Sequence, residues 1–470
     1  MKALRLLLLC FMLALSGLTL AQGVTLPDVE RVVLDNGTVL ILHRKDDVPL
    51  IGLEASIRGG AASDPEGMGG TANLLAGLLE KGAGDRDAAA FAEAVDAVGG
   101  ELSASAATEF ITVSGEFLAR DADLMIELLT NMLRQPTLDS DEVRKLRDRS
   151  IAELQAAKDG DVRTLSPIYG NAYLFGEHPY GNSLYGDEES LARITAADVR
   201  DYYERYFGGD RLVVSLVGDL DVEVMAEKLS TAFGDWGPAT GILPELAAPE
   251  PVEGRRVLLV DKPDAAQSYF WIGNVGVSVH FAERAELDIA NTLFGGRFTS
   301  MLMDELRTKA GLTYGASSSL RRGSVGGSVA MISYTEAETT IEAIDLALSL
   351  LAKLREEGVA DELILSGKNY ILGQFAPDLE TSEQLAGQFA TLESYGLDES
   401  YINDYGTAVA EADGEAIRDV IKQVYPAEDN LVFVIIGDAE KIREQVAKYG
   451  PITEMAITDP RFRPSIDEAQ

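Results

Sequence analysis

The most constraining feature of the sequence is an internal repeat. The segment LVVSLVGD at residues 212–219 reappears as LVFVIIGD at residues 431–438, an offset of about 219 residues. Three further pairs fall at nearly the same offset: the helical patterns 195–206 and 414–425, Ala72-Asn73 with Ala290-Asn291, and Asp141-Glu142 with Asp361-Glu362. Four matches at one spacing indicate two copies of one fold.

A segment between the copies predicts the domain boundary. Residues 237–254 are rich in proline, alanine and glutamate and have no hydrophobic period, which is typical of an extended, semi-rigid linker. The domains are then expected at 26–236 and 255–450, followed by a polar tail at 451–470. A chain of 470 residues is long enough to bury two hydrophobic cores.

Strand and helix patterns alternate within each copy. Asn36-Gly37 lies between two β-rich runs, which predicts a hairpin. A strand pattern follows at 51–58, then helical patterns at 70–79 and 88–98, another strand pattern at 109–117 and further helices. This order predicts an α+β fold: two homologous domains, each a mixed β-sheet packed with helices.

The first residues predict export. Residues 1–22 combine Lys2 and Arg5 with an apolar run and the small-residue region Thr19-Leu20-Ala21, which is the pattern of a secretory signal peptide. We therefore expect a soluble periplasmic or secreted protein. Cys10, the single cysteine, lies inside this signal, so the mature chain would have neither disulfides nor thiol chemistry.

The charge of the chain excludes some partners. A formal net charge of −37 at pH 7 repels nucleic acid and anionic lipid. It is compatible with two interpretations that the sequence leaves open. The charge is either an adaptation to a salty or extracellular medium, or it steers a basic peptide or partner towards the protein.

Other motifs are sparse. His43, His178 and His280 lie in three separate segments without metal-ligand spacing, and the acidic segment 159–161 lacks a full calcium-loop pattern. The chain has neither a phosphate-binding Gly-x-x-x-x-Gly-Lys loop nor a Gly-x-Ser-x-Gly nucleophile elbow. Three residues are expected to be structural: Trp236, Trp271 and Gln267.

Several short motifs, in order, resemble the pitrilysin/insulinase family of zinc metallopeptidases. They are Leu34-Asp35-Asn36-Gly37, Gly59-Gly60, the helix at 70–79, His178-Pro179-Tyr180-Gly181, the Val-Gly-Asp strand end, and residues 306–314. The resemblance covers nearly all of the mature chain and implies a clamshell half like that of the mitochondrial processing peptidase. It also implies where the zinc of active members lies, on a helix carrying His-x-x-Glu-His.

The positions of that zinc motif are degenerate in this chain. The five aligned residues are Asn73-Leu74-Leu75-Ala76-Gly77, so Asn73 and Gly77 replace the two histidines and Ala76 replaces the glutamate that activates water. The third ligand of the family corresponds to Glu153, which alone cannot hold a catalytic metal and is expected to be a surface residue. The sequence predicts no bound metal and no catalytic residue in this chain.

A second family feature is intact. Arg307 and Tyr314 match a pair that, in the family, hydrogen-bonds the substrate backbone from the domain opposite the zinc, and Gly295-Gly296 is expected to bend the chain before it. The resemblance implies a non-catalytic, substrate-binding subunit of an exported heterodimeric zinc endopeptidase, with zinc on a homologous partner. Two alternatives stay open: a peptide-binding or scaffolding protein without peptidase activity in its assembly, and a peptidase with another metal arrangement.

Overall fold

The computed structural model describes residues 24–464 of the 470-residue chain. The expected signal peptide, residues 1–22, lies outside the described residues and stays a prediction. The described chain contains two six-stranded mixed sheets, each packed with helices, and a two-stranded ribbon. The predicted α+β fold with two mixed-sheet halves is therefore confirmed. None of the helices in residues 24–464 has the length and hydrophobicity needed to span a bilayer.

The first half contains eight strands and eight helices. The strands are β1 (Glu30–Val33), β2 (Val39–Arg44), β3 (Leu50–Arg58), β4 (Gly82–Ala83), β5 (Arg86–Asp87), β6 (Glu101–Ala106), β7 (Phe110–Leu118) and β8 (Leu212–Gly218). The helices are α1 (Thr71–Leu79), α2 (Ala88–Asp96), α3 (Ala122–Arg134), α4 (Ser140–Asp159), α5 (Ser166–Phe175), α6 (Glu188–Arg193), α7 (Ala196–Tyr206) and α8 (Val222–Phe233).

The second half contains six strands, eight helices and two π-helical turns. The strands are β9 (Arg255–Asp261), β10 (Gln267–Gly276), β11 (Ala316–Arg322), β12 (Gly327–Glu336), β13 (Leu431–Gly437) and β14 (Ile452–Ala456). The helices are α9 (Arg284–Asn291), α10 (Thr340–Glu357), α11 (Asp361–Phe375), α12 (Ser382–Tyr395), α13 (Ser400–Asn403), α14 (Tyr405–Glu411), α15 (Gly414–Val424) and α16 (Ala439–Val446). The π-helical turns are Thr292–Gly296 and Met303–Lys309.

The sheet topologies confirm the internal repeat. The first sheet has the order β1-β2-β8-β3-β7-β6, and the second, taken in the matching direction, has β14-β9-β13-β10-β12-β11. In both sheets the repeated strand, β8 or β13, is buried along its whole length, runs parallel to one neighbour and runs antiparallel to the other. Five of the six positions are filled by equivalent strands.

The sixth position corrects the predicted polar tail. Within residues 451–470, Ile452–Ala456 forms β14, which pairs in parallel with β9, whereas its counterpart β1 is the first strand of a hairpin. Phe462 is buried and packs edge-to-face on Tyr169 of the first half, with ring centroids 4.9 Å apart. The buried Lys158 ammonium donates to Glu188 at 2.6 Å and to the Asp459 carbonyl at 2.5 Å.

The two halves exchange a helix. Helix α5 of the first half packs on β10 and β13 of the second sheet, and α12 of the second half packs on β3 and β8 of the first. Gly170 of α5 lies against the ring of Trp271, which is buried as expected, while Gly52 of β3 lies against the backbone of residues 382–383. Residues 237–254, the predicted linker, contain no helix or strand. The linker therefore separates the sequence repeats but not two independent packing units.

An acidic residue lies under the exchanged helix α12. Side chains alternate along a strand, so Glu54 shares its face of β3 with Gly52, which contacts α12, and with Ser56, whose hydroxyl is 3.0 Å from that of Ser394 in α12. Burial raises the pKa of Glu54 to about 7, a hydrogen bond from Ser114 opposes this, and Glu383 adds to the increase. Ionisation of Glu54 is therefore unfavourable in the folded chain.

Two glycine substitutions test the helix exchange. A Cβ at Gly170 would lie 2.5 Å from the Trp271 ring, so Gly170→Ala should lower the free energy of unfolding by about 1–3 kcal/mol. Gly387 of α12 has no neighbour within 4 Å of such a Cβ, so Gly387→Ala should raise it by about 0.5–1 kcal/mol. Urea titrations of both variants provide the measurement. An equal change in the free energy of unfolding for the two variants would contradict the packing of α5 on the second sheet.

The pKa of Glu54 predicts a pH dependence of stability. The folded chain keeps this proton up to about pH 7 and the unfolded chain only up to about 4.5, so the free energy of unfolding falls as pH rises between these values. Glu54→Gln cannot ionise. The free energy of unfolding of the variant should equal that of the wild type near pH 4.5 and exceed it by up to about 3 kcal/mol at pH 8. Urea unfolding at both pH values tests this, and a difference independent of pH would refute it.

Candidate functional site

Helix α1 carries the positions of the degenerate zinc motif. It begins after Gly70, which has a φ of 94°, and the Asp64 carboxylate accepts hydrogen bonds from the N–H groups of Gly70 at 2.7 Å and Ala72 at 2.8 Å. Burial nevertheless raises the pKa of Asp64 to about 7. Asn73 and Gly77, one helical turn apart, lie on the partly exposed side of α1, while Ala76 is buried.

These residues do not fit a zinc ion. A Cβ at position 77 would lie 2.9 Å from a methyl carbon of Leu146 on α4, so Leu146 fills the space where a side chain at this position would begin. The structure places Glu153 on the surface of α4, where its carboxylate pairs with Arg149 at 3.0 Å. A single amide on α1 and a solvent-exposed carboxylate cannot replace imidazole ligands.

The three histidines do not share a hydrogen-bond partner among the described residues. The His43 ring bonds the Asp28 carbonyl at 2.8 Å, the His178 ring bonds the Ala247 carbonyl at 2.9 Å, and His280 is exposed. Across residues 24–464, no group of three or more His, Cys, Asp or Glu side chains is placed to hold a metal ion. The described residues therefore offer no substitute for the lost zinc ligands.

The free edge of strand β6, beside α1, is partly blocked by a side-chain hydrogen bond. Glu80, which ends α1, accepts a hydrogen bond from the Ala104 N–H of β6 at 2.8 Å. A peptide adding a strand at this edge would need the free N–H groups of β6, and Glu80 occupies one of them. The sequence alone did not predict this contact, although the carboxylate of Glu80 directly after an apolar helix was an indication of it.

Arg307 and Tyr314 lie in the second half, where the chain passes from a π-helical turn to β11. Arg307 belongs to the turn Met303–Lys309, and its guanidinium carbon lies 4.7 Å from the ring centroid of Phe298. Phe298 is 70% exposed and Tyr314 is 79% exposed. Phe298 was not among the predicted site residues, because its sequence position after Gly295-Gly296 does not reveal that Arg307 stacks on it.

The loop that presents Tyr314 is held by hydrogen bonds. Thr313 and Gly315 bond each other at 3.0 Å, and the Ser333 hydroxyl donates to the Gly315 carbonyl at 2.8 Å. No hydrogen bond joins the Arg307 guanidinium or the Tyr314 hydroxyl to another residue of the described chain. The Tyr314 hydroxyl is exposed and the Arg307 side chain is half-buried against Phe298, and the donors of both are available to a ligand.

Comparison with known proteins identifies the family. The profile "Insulinase (Peptidase family M16)" matches residues 39–188, and the profile "Peptidase M16 inactive domain" matches residues 193–370. The chain belongs to the M16 peptidase family. This confirms the resemblance on which the zinc-helix and Arg/Tyr positions were identified.

M16 relatives include proteins described as peptidases and as non-peptidases. A Bacillus subtilis protein described as the uncharacterized zinc protease YmxG is 23% identical over 356 residues, covering 75% of this chain and 85% of the relative. A Helicobacter pylori protein described as the non-peptidase homolog YmxG is 23% identical over 417 residues, 87% of this chain and 94% of the relative. The crystal structure of a peptidase M16 inactive domain from Pseudomonas fluorescens superposes with a TM-score of 0.80 and 22% identity, covering 87% and 98% of the two chains.

The zinc content of the purified chain tests the prediction that α1 holds no zinc ion. Because Asn73, Ala76 and Gly77 supply no imidazole or carboxylate, the chain should retain far less than one zinc ion per molecule after dialysis against zinc and removal of the excess. Elemental analysis by mass spectrometry measures this directly. Stoichiometric zinc together with unaided, chelator-sensitive peptide cleavage would show that another metal arrangement exists.

Proposed function

We propose that this chain is the non-catalytic, substrate-binding subunit of an exported heterodimeric zinc endopeptidase that acts on peptides or unfolded polypeptides. A homologous subunit with an intact His-x-x-Glu-His motif would hold the zinc and activate the attacking water. The observation that carries the proposal is a contrast within one chain. Helix α1 lacks the metal ligands of the family, whereas the exposed Tyr314 and the half-buried Arg307 have no hydrogen-bond partners among the described residues.

The chemistry of the pair suits the stabilisation of an oxyanion. A guanidinium and a phenol donate hydrogen bonds to a peptide carbonyl, and these bonds strengthen as negative charge develops on its oxygen. The stacking of Arg307 on Phe298 restrains a long side chain, and the bonded loop 313–315 restrains Tyr314. Donors that are ordered before the reaction lose less free energy to reorganisation during it.

The family comparisons support the non-catalytic part of the proposal. Residues 193–370 match a domain described as inactive, and the Helicobacter pylori relative is described as a non-peptidase homolog. Pairing with a zinc-bearing subunit and export are proposals. Export is supported by the pattern of residues 1–22, and N-terminal sequencing of the mature protein tests it.

The alternative is a peptide-binding or scaffolding protein whose assembly has no peptidase activity. The same free donors favour it, because Arg307 and Tyr314 can bind a peptide backbone without any metal nearby. A neighbouring gene for an exported homologue with an intact zinc motif would favour the heterodimer, and its absence would favour the alternative. Co-expression with that homologue, followed by cleavage assays on the complex and each subunit, separates the two.

Substitution of the pair tests the heterodimeric peptidase. In the assembled complex, Arg307→Ala and Tyr314→Phe should each lower kcat by about 10²–10³-fold, because each removes a donor to the developing oxyanion. KM should change less than kcat. Steady-state cleavage of a quenched fluorescent peptide measures both constants.

A surface arginine provides the matched control. Arg120 is 77% exposed and pairs only with the adjacent Asp121, so Arg120→Ala should leave both assembly and turnover unchanged. Size-exclusion chromatography should show intact heterodimer for all three variants. A double Arg307→Ala/Tyr314→Phe variant that assembles and cleaves at the wild-type rate would defeat the proposed role.

A further inference from the structure

The tips of two equivalent hairpins meet between the halves. The β6–β7 turn includes Glu109, and the β11–β12 turn includes residues 323–326. One Glu109 carboxylate oxygen accepts from the Ser324 N–H at 2.8 Å and from the Tyr180 hydroxyl at 2.8 Å. The Val325 N–H in turn donates to the Tyr180 oxygen at 3.3 Å. These bonds hold both tips, so the space beside them has ordered walls.

A cavity of about 220 Å³ lies beside this junction. Phe175, Tyr180 and Tyr395 place aromatic rings in its walls, and Arg321 of β11 contributes a guanidinium. A second cavity of about 300 Å³ shares Glu109 and Tyr395 with the first. Arg322 and Glu109 also line the first cavity, but Arg322 pairs with Asp288, and Glu109 accepts the two hydrogen bonds described above. The first cavity therefore combines apolar surface with a few charged groups, as small-ligand sites do.

Arg321 has no counter-ion among residues 24–464. It makes no hydrogen bond or ion pair within the described chain, whereas its neighbour Arg322, on the opposite face of β11, pairs with Asp288 at 2.6 Å. Arg321 is exposed as a residue, while partial burial of its guanidinium lowers the pKa of that group. The guanidinium therefore lies at the mouth of the cavity, where its donors are available to a ligand.

Arg58 in the adjoining cavity is a weaker candidate. It makes no hydrogen bond or ion pair within the described chain, but its charge acts on Glu393 and lowers the pKa of that carboxyl. Glu393 is held chiefly by Arg31 at 2.8 Å. Arg58 therefore has nearby negative charge, whereas burial alone perturbs Arg321.

We propose that the Arg321 cavity binds a carboxylate of a peptide, either its C-terminus or an acidic side chain, with an adjoining apolar side chain against the aromatic walls. Guanidinium and carboxylate form two parallel charge-assisted hydrogen bonds, which are strong where water is partly excluded. The rings of Tyr180 and Tyr395 suit an apolar or aromatic neighbour in the peptide. This site lies apart from Arg307 and Tyr314 and needs neither a partner subunit nor zinc.

Calorimetric titration of the full mature chain, without any partner, tests the site. Three probes are used: acetyl-Ala-Ala-Phe with a free carboxylate, the same peptide as a C-terminal amide, and the amide of acetyl-Ala-Glu-Phe. Binding of the first alone assigns the C-terminal carboxylate, binding of the third alone assigns an acidic side chain, and binding of both supports either source. The uncharged amide should bind at least tenfold more weakly than a carboxylate probe that binds.

Variants of Arg321 complete the experiment. Arg321→Gln should lower the affinity for the carboxylate probe by about 10–100-fold, and Arg321→Lys should lower it less. The surface control Arg120→Gln should leave this affinity unchanged. Thermal unfolding verifies that each variant is folded, and Arg321→Lys serves if the glutamine variant is not. Equal affinity of wild type and the folded Arg321 variants would overturn the site, as would equal binding of the uncharged amide or no binding of any probe at millimolar concentration. These outcomes do not depend on the peptidase activity proposed for the complex.

Discussion

The reciprocal packing of α5 and α12 is the constraint on which the rest of this structure depends. Each sheet has a face that its own half leaves uncovered, and a helix from the other half buries it. Close contacts such as Gly170 on Trp271 and Gly52 on the backbone of α12 leave little room for the halves to separate. Burial of apolar surface therefore couples the two sequence repeats, because two of the hydrophobic clusters contain residues of both halves.

The same scaffold carries a helix without the zinc ligands of the family and, in the second half, the Arg307/Tyr314 pair that we propose binds substrate. On α1 the change is more than the absence of ligands, because Leu146 occupies the volume beside Gly77 and Glu80 bonds the neighbouring strand edge. In the second half, by contrast, a hydrogen-bonded loop exposes Tyr314, and Arg307 is half-buried against Phe298.

Much of the fold could be predicted from the repeat, because equivalent strand and helix patterns at one offset require equivalent sheets. Strand β14 could not, since its apolar residues Ile452 and Met455 are too few to show a strand period among charged neighbours. Periodicity also cannot show which half supplies α5 and α12. The family pattern located Arg307 and Tyr314. The contacts of Phe298 and Glu80, and the place of Arg321 in a cavity wall, depend on tertiary structure that no local pattern encodes.

The placement of β14 and Phe462 has a consequence for the order in which the protein is assembled. The outermost position of the second sheet is supplied by residues 452–456, and a buried ring contact with the first half is supplied by Phe462. During synthesis, both packing arrangements are incomplete until residues 452–462 have left the ribosomal tunnel. Until then the nascent polypeptide keeps an unpaired strand edge and uncovered apolar surface, which are features that chaperones recognise.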